Sequence, residues 1–413
     1  MSVVTGRRKS IAVVVPSITN CGGVASVAEF VIRTIRDRTD YDYRVISLAM
    51  AARDTSSVLL TNPSTWPRGV VTRKGDFRGE AYVHIGAVAP EIEVWRFLPR
   101  ARLTEELQGV DLIQVVSGIP AWANPVMGLG VPVSLQVATL IDVERRHKDR
   151  LYTGLIGLWR REMTRRVRRL DDLALGSVDA VQVENNWMLD HCHRSAKAGT
   201  DIRFAAPGVD TDVFCPAEES PAVPGYILSV GRMSDPRKRH MLLLEAYRLL
   251  CKRMEQPPRL ALAGPDGPTK EFEARARELG LWESIDLHIF PDLHGLAKLY
   301  RNAAAFVLAS DEEGFGVTVV EAMASGTPAV STRSGGPNDI IEDGTDGFLV
   351  DRDDAEALAD RLHRLTADPS LNATMRAAAR DKAQERYSEN ATAQNFIDVF
   401  DLLLTDAKGR LAA

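Results

Sequence analysis

Cysteine is scarce in this chain. Its 413 residues hold four, Cys21, Cys192, Cys215 and Cys251, spaced far apart with no CxxC pair. That argues against a disulfide framework and against a structural zinc site, and it fits a reducing compartment. His191-Cys192-His193 has ligating side chains, but adjacent residues rarely converge on one metal and no partner cluster accompanies them. Positive charge is not in excess: 51 Lys and Arg stand against 56 Asp and Glu, a net charge of −5. A dedicated nucleic-acid binder is thereby excluded, and any acidic partner must be met locally. No apolar run approaches the about 18–20 residues of a membrane span. Arg7-Arg8 precedes Ile11–Val15, but that apolar stretch is too short and too β-branched for a twin-arginine export signal. The expected location is cytoplasmic.

What is present is alternation. Short Val-, Ile- and Leu-rich runs alternate with amphipathic stretches, the pattern of parallel sheets wrapped by helices. The first series of expected strands is Ile11–Pro16, Tyr43–Leu48, Tyr82–Ile85, Asp111–Val116, Pro132–Val137 and Asp179–Val183. Val24–Arg36 and Leu103–Leu107 read as helices between them. A Pro- and acid-rich segment, Pro216–Pro224, separates a second series: Tyr226–Val230, Arg259–Ala263, Ile285–Ile289, Ala304–Leu308 and Pro328–Ser331. Residues from about Ser388 to Leu404 read as a last helix. The expectation is two doubly wound α/β domains, 1–215 and 216–389, with ligands at the carboxyl ends of their strands.

The densest chemical signal runs from Ser310 to Pro328, SDEEGFGVTVVEAMASGTP. It follows an expected strand and opens an expected helix. Gly314 and Gly316 let the backbone turn and approach a ligand. The helix that follows points its free N–H groups and positive dipole end back at the turn, which suits a phosphate. Glu313 and Glu321, two helical turns apart, suit sugar and ribose hydroxyls. Gly231-Arg232 closes the first strand of the second series and Lys238 follows, two cations suited to a diphosphate. Gly335-Gly336 permits a tight turn, and Gly22-Gly23 opens a helix after the first strand. Gly22-Gly23 is not a GxGxxG, so no dinucleotide fold is read there. Asp210-Thr211-Asp212 resembles a metal-binding DxD triplet, but it lies in the segment before the linker and reads as structural.

These residues together resemble the family-4 retaining glycosyltransferases of the GT-B fold. The resemblance rests on Gly22-Gly23, Pro207-Gly208-Val209-Asp210, Gly231-Arg232 with Lys238, Glu313 through Pro328, and Gly335-Gly336, and is densest over residues 205–350. It implies two Rossmann-like domains facing each other across a deep cleft, with a C-terminal helix, about 390–413, packing back on the N-terminal domain. It implies hexose transfer from a UDP- or GDP-sugar to a hydroxyl acceptor, with no cofactor and no metal. By resemblance Glu313 holds the donor sugar, Arg232 and Lys238 hold the diphosphate, and Glu321 holds the ribose. Gly22, Gly23, Gly231, Gly264, Leu293, Gly314, Phe315, Gly316 and Val317 complete the donor site, with the base near Gly264-Pro265 and Pro291–Leu293. Family members often carry a His where this chain has Ala138, with Thr139 or Asp142 as hydrogen-bonding substitutes. That departure keeps a catalytically degenerate sugar-nucleotide-binding subunit in view as an alternative, beside another GT-B enzyme such as an epimerase or phosphorylase.

The acceptor is expected on the N-terminal half: a lipid-linked saccharide, a saccharide or a small molecule. Residues 144–169 crowd Arg145, Arg146, Lys148, Arg150, Arg160, Arg161, Arg165, Arg166, Arg168 and Arg169 among Leu151, Tyr152, Leu155, Ile156, Leu158 and Trp159. Two readings follow: a basic amphipathic helix that lies on the anionic inner face of a membrane or holds an anionic acceptor such as a lipid diphosphate, or a solvated helix face covering the domain's core.

Overall fold

The computed structural model describes residues 7–19, 22–217 and 225–410. Cys21 and most of the Pro216–Pro224 segment lie outside the described residues. The chain divides into two units, 1–206 with 393–413, and 207–392.

The N-terminal unit is built on eight strands: β1 (Ser10–Pro16), β2 (Asp42–Leu48), β3 (Thr72–Phe77), β4 (Glu80–Ile85), β5 (Leu112–Ser117), β6 (Val133–Val137), β7 (Ala180–Val183) and β8 (Asp201–Phe204). Their order is β3-β4-β2-β1-β5-β6-β7-β8. Successive residues of a strand face opposite sides. In β1, Ala12 and Val14 enter one core while Ile11, Val13 and Val15 enter the other. Burial on both faces is why β1 reads as an uninterrupted apolar run. Helix Gly23–Arg38 covers the second face with Phe30 and Ile35. The last helix, Glu389–Arg410, places Phe396, Val399, Phe400, Leu403 and Leu404 in that same core. Phe30 and Phe396 meet edge to face at 5.2 Å.

One pairing departs from the all-parallel expectation. β3 runs antiparallel to β4, because the chain reverses at Arg78-Gly79, where both residues have positive φ. Positive φ at both central residues is the geometry of a tight hairpin turn. The strand itself is an edge strand with mostly exposed or half-buried residues, so it carries no apolar signal.

The C-terminal unit has six strands, all parallel: β9 (Tyr226–Val230), β10 (Arg259–Gly264), β11 (Ile285–Ile289), β12 (Ala305–Leu308), β13 (Ala329–Thr332) and β14 (Gly347–Val350). Their order is β11-β10-β9-β12-β13-β14. From β9 the chain winds outward one way and from β12 the other, so the order reverses between β9 and β12. Open α/β sheets bind ligands at such a reversal, outside the carboxyl ends of the strands.

Residues 207–215, read from the sequence as the end of the first domain, pack with the second unit. Val209 donates its N–H to Tyr387 O at 2.8 Å and accepts from Glu389 N at 3.1 Å. Arg380 donates to the carbonyls of Thr211, Phe214 and Ala324. Asp210 accepts from the amides of Asp212 and Val213, at 3.0 and 3.1 Å, and closes a turn.

Candidate functional site

Three turns meet where the strand order reverses. The first leaves β9 through Gly231-Arg232 and enters a single 3-10 turn, Pro236–Lys238. Asp235 starts that turn, accepting from the Arg237 amide at 3.1 Å. The second leaves β12, runs Ser310 to Gly316 and opens helix Val317–Ala324. The third follows β13 and contains Gly335-Gly336.

Backbone bonds lock the turns together. Asp311 N donates to Arg237 O at 2.8 Å, Glu313 N to Ser334 O at 2.8 Å, and Gly336 N to Glu313 O at 3.0 Å. Two glycines make the approach possible. A Cβ on Gly264 would lie 2.1 Å from Gly231 O, and one on Gly336 would lie 1.9 Å from Phe315 O. Gly316 takes φ 103°, a left-handed conformation that favours glycine, and starts its helix with no side-chain cap. The first amides of a helix have no partner within it, so this end presents donors and the positive dipole.

Lys238 Nζ reaches Glu313 Oε1 at 2.6 Å, and Ser310 Oγ donates to the same oxygen at 2.5 Å. Glu313 Oε2 accepts from none of the described residues, leaving acceptor capacity for a ligand hydroxyl. The aliphatic stem of Lys238 lies against Gly231, its Cε 3.3 Å from where a Cβ there would sit. Arg232 is about half exposed and pairs loosely with Asp235 at 3.4 Å. Behind Lys238, burial and the lysine charge push the His240 imidazole down to about 4, so it stays neutral at pH 7.

Glu321 faces inward: the Tyr300 hydroxyl donates to its Oε2 at 2.7 Å. Burial first, then the Glu321 charge, raises that phenol well above its ordinary value, so it remains a donor. Phe315 is buried, its ring 5.8 Å from that of Tyr387, so only its backbone borders the turn. Leu293 lies apart, 41% exposed, at the start of helix Leu293–Arg301. That segment is tied to the others through Phe290 N, which donates to Gly264 O at 2.8 Å. Gly22 and Gly23 belong to the other unit, at the carboxyl end of β1, with open space where a Cβ would point.

Four supporting residues escaped the sequence reading. Arg237 bridges Asp235 at 2.9 Å and Glu312 at 3.1 Å, joining the first two turns. Asp266 accepts from Met233 N at 2.7 Å and Ser234 N at 3.0 Å, and so orients the loop carrying Arg232. Burial works against its ionisation, but the Ser234 hydroxyl, these amides and the Arg232 charge hold it below the usual carboxylate range. Its position in Gly264-Pro265-Asp266-Gly267 is a turn signal that marks it for backbone capping. Tyr300 carries no such signal, and Glu312, though inside the Ser310–Pro328 string, shows its role only through Arg237.

In the N-terminal unit, the carboxyl ends of β6 and β7 hold buried polar groups. Gln136 donates to Glu184 at 3.1 Å, and burial raises the Glu184 carboxyl to about 7 despite that bond. The Ala138 carbonyl accepts from Asn185 at 2.8 Å. The buried Thr139 hydroxyl has no hydrogen-bond partner among the described residues. Asp142 pairs with Arg168 at 3.4 Å.

Two Rossmann-like units, the second with three glycine-bordered turns at its strand reversal, define the GT-B class. Residues 215–382, most of the C-terminal unit, match the family described as glycosyl transferases group 1. Among curated proteins, the chain is 31% identical over 220 residues to a D-inositol 3-phosphate glycosyltransferase of Corynebacterium urealyticum, covering 49% of this chain and 52% of that one. It is 30% identical over 246 residues to one of Saccharomonospora viridis, covering 56% and 57%. The chain thus spans about half the length of the curated relatives it matches. Among solved structures, sucrose-phosphate synthase of Thermosynechococcus elongatus matches with TM-score 0.71 at 19% identity, over 96% of this chain and all of that one. Anabaena HepE, solved in complex with UDP and glucose, matches with TM-score 0.68 at 15% identity, over 95% of this chain and 100% of that one. These likenesses extend the fold to nearly the whole chain.

Proposed function

We propose that this chain is a retaining, metal-independent glycosyltransferase. It moves a hexose from a nucleotide-diphosphate sugar to an acceptor hydroxyl. The observation that carries this reading is the convergence of Lys238, Glu313, Gly231-Arg232 and the Gly316 helix start at the strand reversal of a group 1 domain. The curated relatives are named for transfer to D-inositol 3-phosphate, and one structural relative was solved with UDP and glucose. The first supports sugar transfer, and the second a nucleotide-sugar donor, here.

In this reading the diphosphate lies across the Gly316 helix start, with Arg232 and Lys238 on its oxygens. Charge grows on the leaving phosphate as the glycosidic bond lengthens. Fixed cations and the helix dipole stabilise that charge without the help of a metal. Donor binding draws Lys238 from Glu313 toward the diphosphate, and Glu313 then accepts from sugar hydroxyls through both oxygens. Glu321, already oriented by Tyr300, accepts from the ribose. The exposed Phe290, beside Gly264, offers a ring to the base. The acceptor hydroxyl attacks the face the diphosphate leaves, and its proton passes to the departing phosphate oxygen. Glu313 and Glu321 both serve the donor, so the two-carboxylate route of retaining glycosidases does not apply.

Two measurements test this. A melting-temperature panel of nucleotide sugars, run in chelator, is expected to give a rise for the true donor through mass action. Strict dependence on added manganese, or an inverted anomeric product, overturns the reading. Glu313→Gln keeps the contacts to Lys238 and Ser310 but loses the charge. It is expected to lower turnover roughly ten- to a hundredfold, the value of a hydrogen bond to a charged group, with the melting temperature little changed. Unchanged turnover would refute the assigned role.

A further inference from the structure

The basic segment at 144–169 is not one helix. It breaks into Ile141–Leu151 and Gly154–Leu175, at an elbow where Gly154 takes φ 63°. Gly157 packs against the elbow, where a Cβ would lie 2.3 Å from Tyr152 O. Beyond it, Met163, Thr164, Val167, Asp171, Ala174 and Leu175 are the buried positions of the second helix. The apolar residues around the elbow are outside: Leu155 is 84% exposed, and Leu151, Ile156, Leu158 and Trp159 are each 57–64% exposed. The solvated face over the core is that of the second helix, through Val167, Ala174 and Leu175; the residues at 151–159 take no part in it. Nor do they form one apolar side along a single helix, because they gather at the elbow.

Leu155, Leu158 and Trp159 share one face at helical spacing. The same face continues into Arg165, Arg166 and Arg169, and Arg161 stands beside it. At about 1.5 Å per residue, Arg161 and Arg165 sit roughly 3–9 Å beyond Trp159. This is an apolar tip with a basic collar. Arg165 and Arg166 share the single carboxylate of Glu162, at 2.7 and 2.9 Å. Arg146, Arg161 and Arg169 have no carboxylate partner among the described residues. A contiguous exposed apolar patch of this kind marks an interaction surface. A second copy of the chain would bring one arginine collar against another, which like charge opposes. An anionic bilayer meets both parts at once: an interfacial segment sits about 5–10 Å deep, which matches the distance from tip to collar.

We propose that the elbow of these two helices docks the chain on an anionic lipid bilayer. Leu151, Leu155, Leu158 and Trp159 enter the acyl boundary while the arginines meet the phosphates. Beside the tip lies a cavity of about 510 Å³ whose lining includes Tyr152, Ile156 and Trp159; its Arg145 and Arg160 are already paired with Glu93 and Asp149, so the docking rests on the exposed tip and collar and not on this cavity. The docking is independent of the transfer reaction and is read out without it.

The test is flotation of the full chain with phosphatidylcholine vesicles, with and without phosphatidylglycerol. Recovery is expected with the anionic vesicles only, falling as salt rises. Leu155→Asp with Trp159→Asp is expected to reduce bound protein about tenfold or more. Arg161→Glu with Arg165→Glu should reduce it about fivefold per arginine, the value of one basic residue near such a surface. All four sites are exposed, so unchanged melting temperatures should accompany the loss. Equal recovery on neutral vesicles, no recovery on either, or a dimer in vesicle-free buffer that Leu155→Asp dissolves overturns the proposal. Donor-induced melting shifts would survive each of these outcomes, so failure here is separable from failure of the enzymatic reading.

Discussion

Lys238→Met is expected to lower kcat by about 10²–10³, the cost of removing one preorganised charge contact to a developing anion. Methionine keeps an aliphatic stem to pack on Gly231, so the fold has little reason to change. The ammonium is lost, and with it the 2.6 Å contact to Glu313. Glu313 keeps the Ser310 hydroxyl, which limits the cost of an unpaired carboxylate. Lys238→Arg is expected to recover part of the rate, because charge is restored at a different reach. Steady-state kinetics with the donor found in the melting panel checks both variants. A wild-type rate in Lys238→Met would remove the lysine from the diphosphate. Loss of melting temperature in step with loss of rate would make it a structural residue.

Gly336→Ala carries the second large effect, and it arises from geometry rather than charge. The added methyl would stand 1.9 Å from Phe315 O and 2.4 Å from the Phe315 Cα and carbonyl carbon. These are backbone atoms of the 313–316 turn, so no side chain can swing away. Either Gly336 N leaves Glu313 O or the whole 313–316 turn shifts. Overpacking of this sort costs about 1–3 kcal/mol or more, which lowers the melting temperature by roughly 5 °C. Displacing the turn by an ångström is expected to cost about a hundredfold in turnover. Thermal unfolding and kinetics measured on the same preparation check it. A stable variant with full activity would mean that the third turn does not support the donor site.

Much of the geometry of the C-terminal candidate site was legible in the sequence because it is written in local backbone chemistry. Gly316, Gly336 and the helix behind them answer to constraints within a few residues, since a turn needs glycine where φ is positive or two backbone segments touch. The double-faced strands were legible for the same reason: burial on both sides leaves no room for polar residues. What escaped notice was chemically quiet or long-range. β3 and β8 are edge strands without a buried run. β14, Gly347–Val350, sits among glycines that read as turn. Arg237 acquires its meaning only from Glu312, 75 positions later, and Asp266 from amides 32 and 33 positions earlier.

The amino-acid order by itself determined the α/β class, the two series of strands, and the glycine-bordered turns with their cations and carboxylates. Those depend on neighbours along the chain, whose spacing the backbone geometry converts directly into faces and turns. Only the tertiary structure decided that Lys238 donates to Glu313, that residues 207–215 join the second unit, and that the apolar residues at 151–159 face outward. Each of these depends on which distant surfaces are buried against each other, and periodicity alone is the same whether a face meets core or solvent.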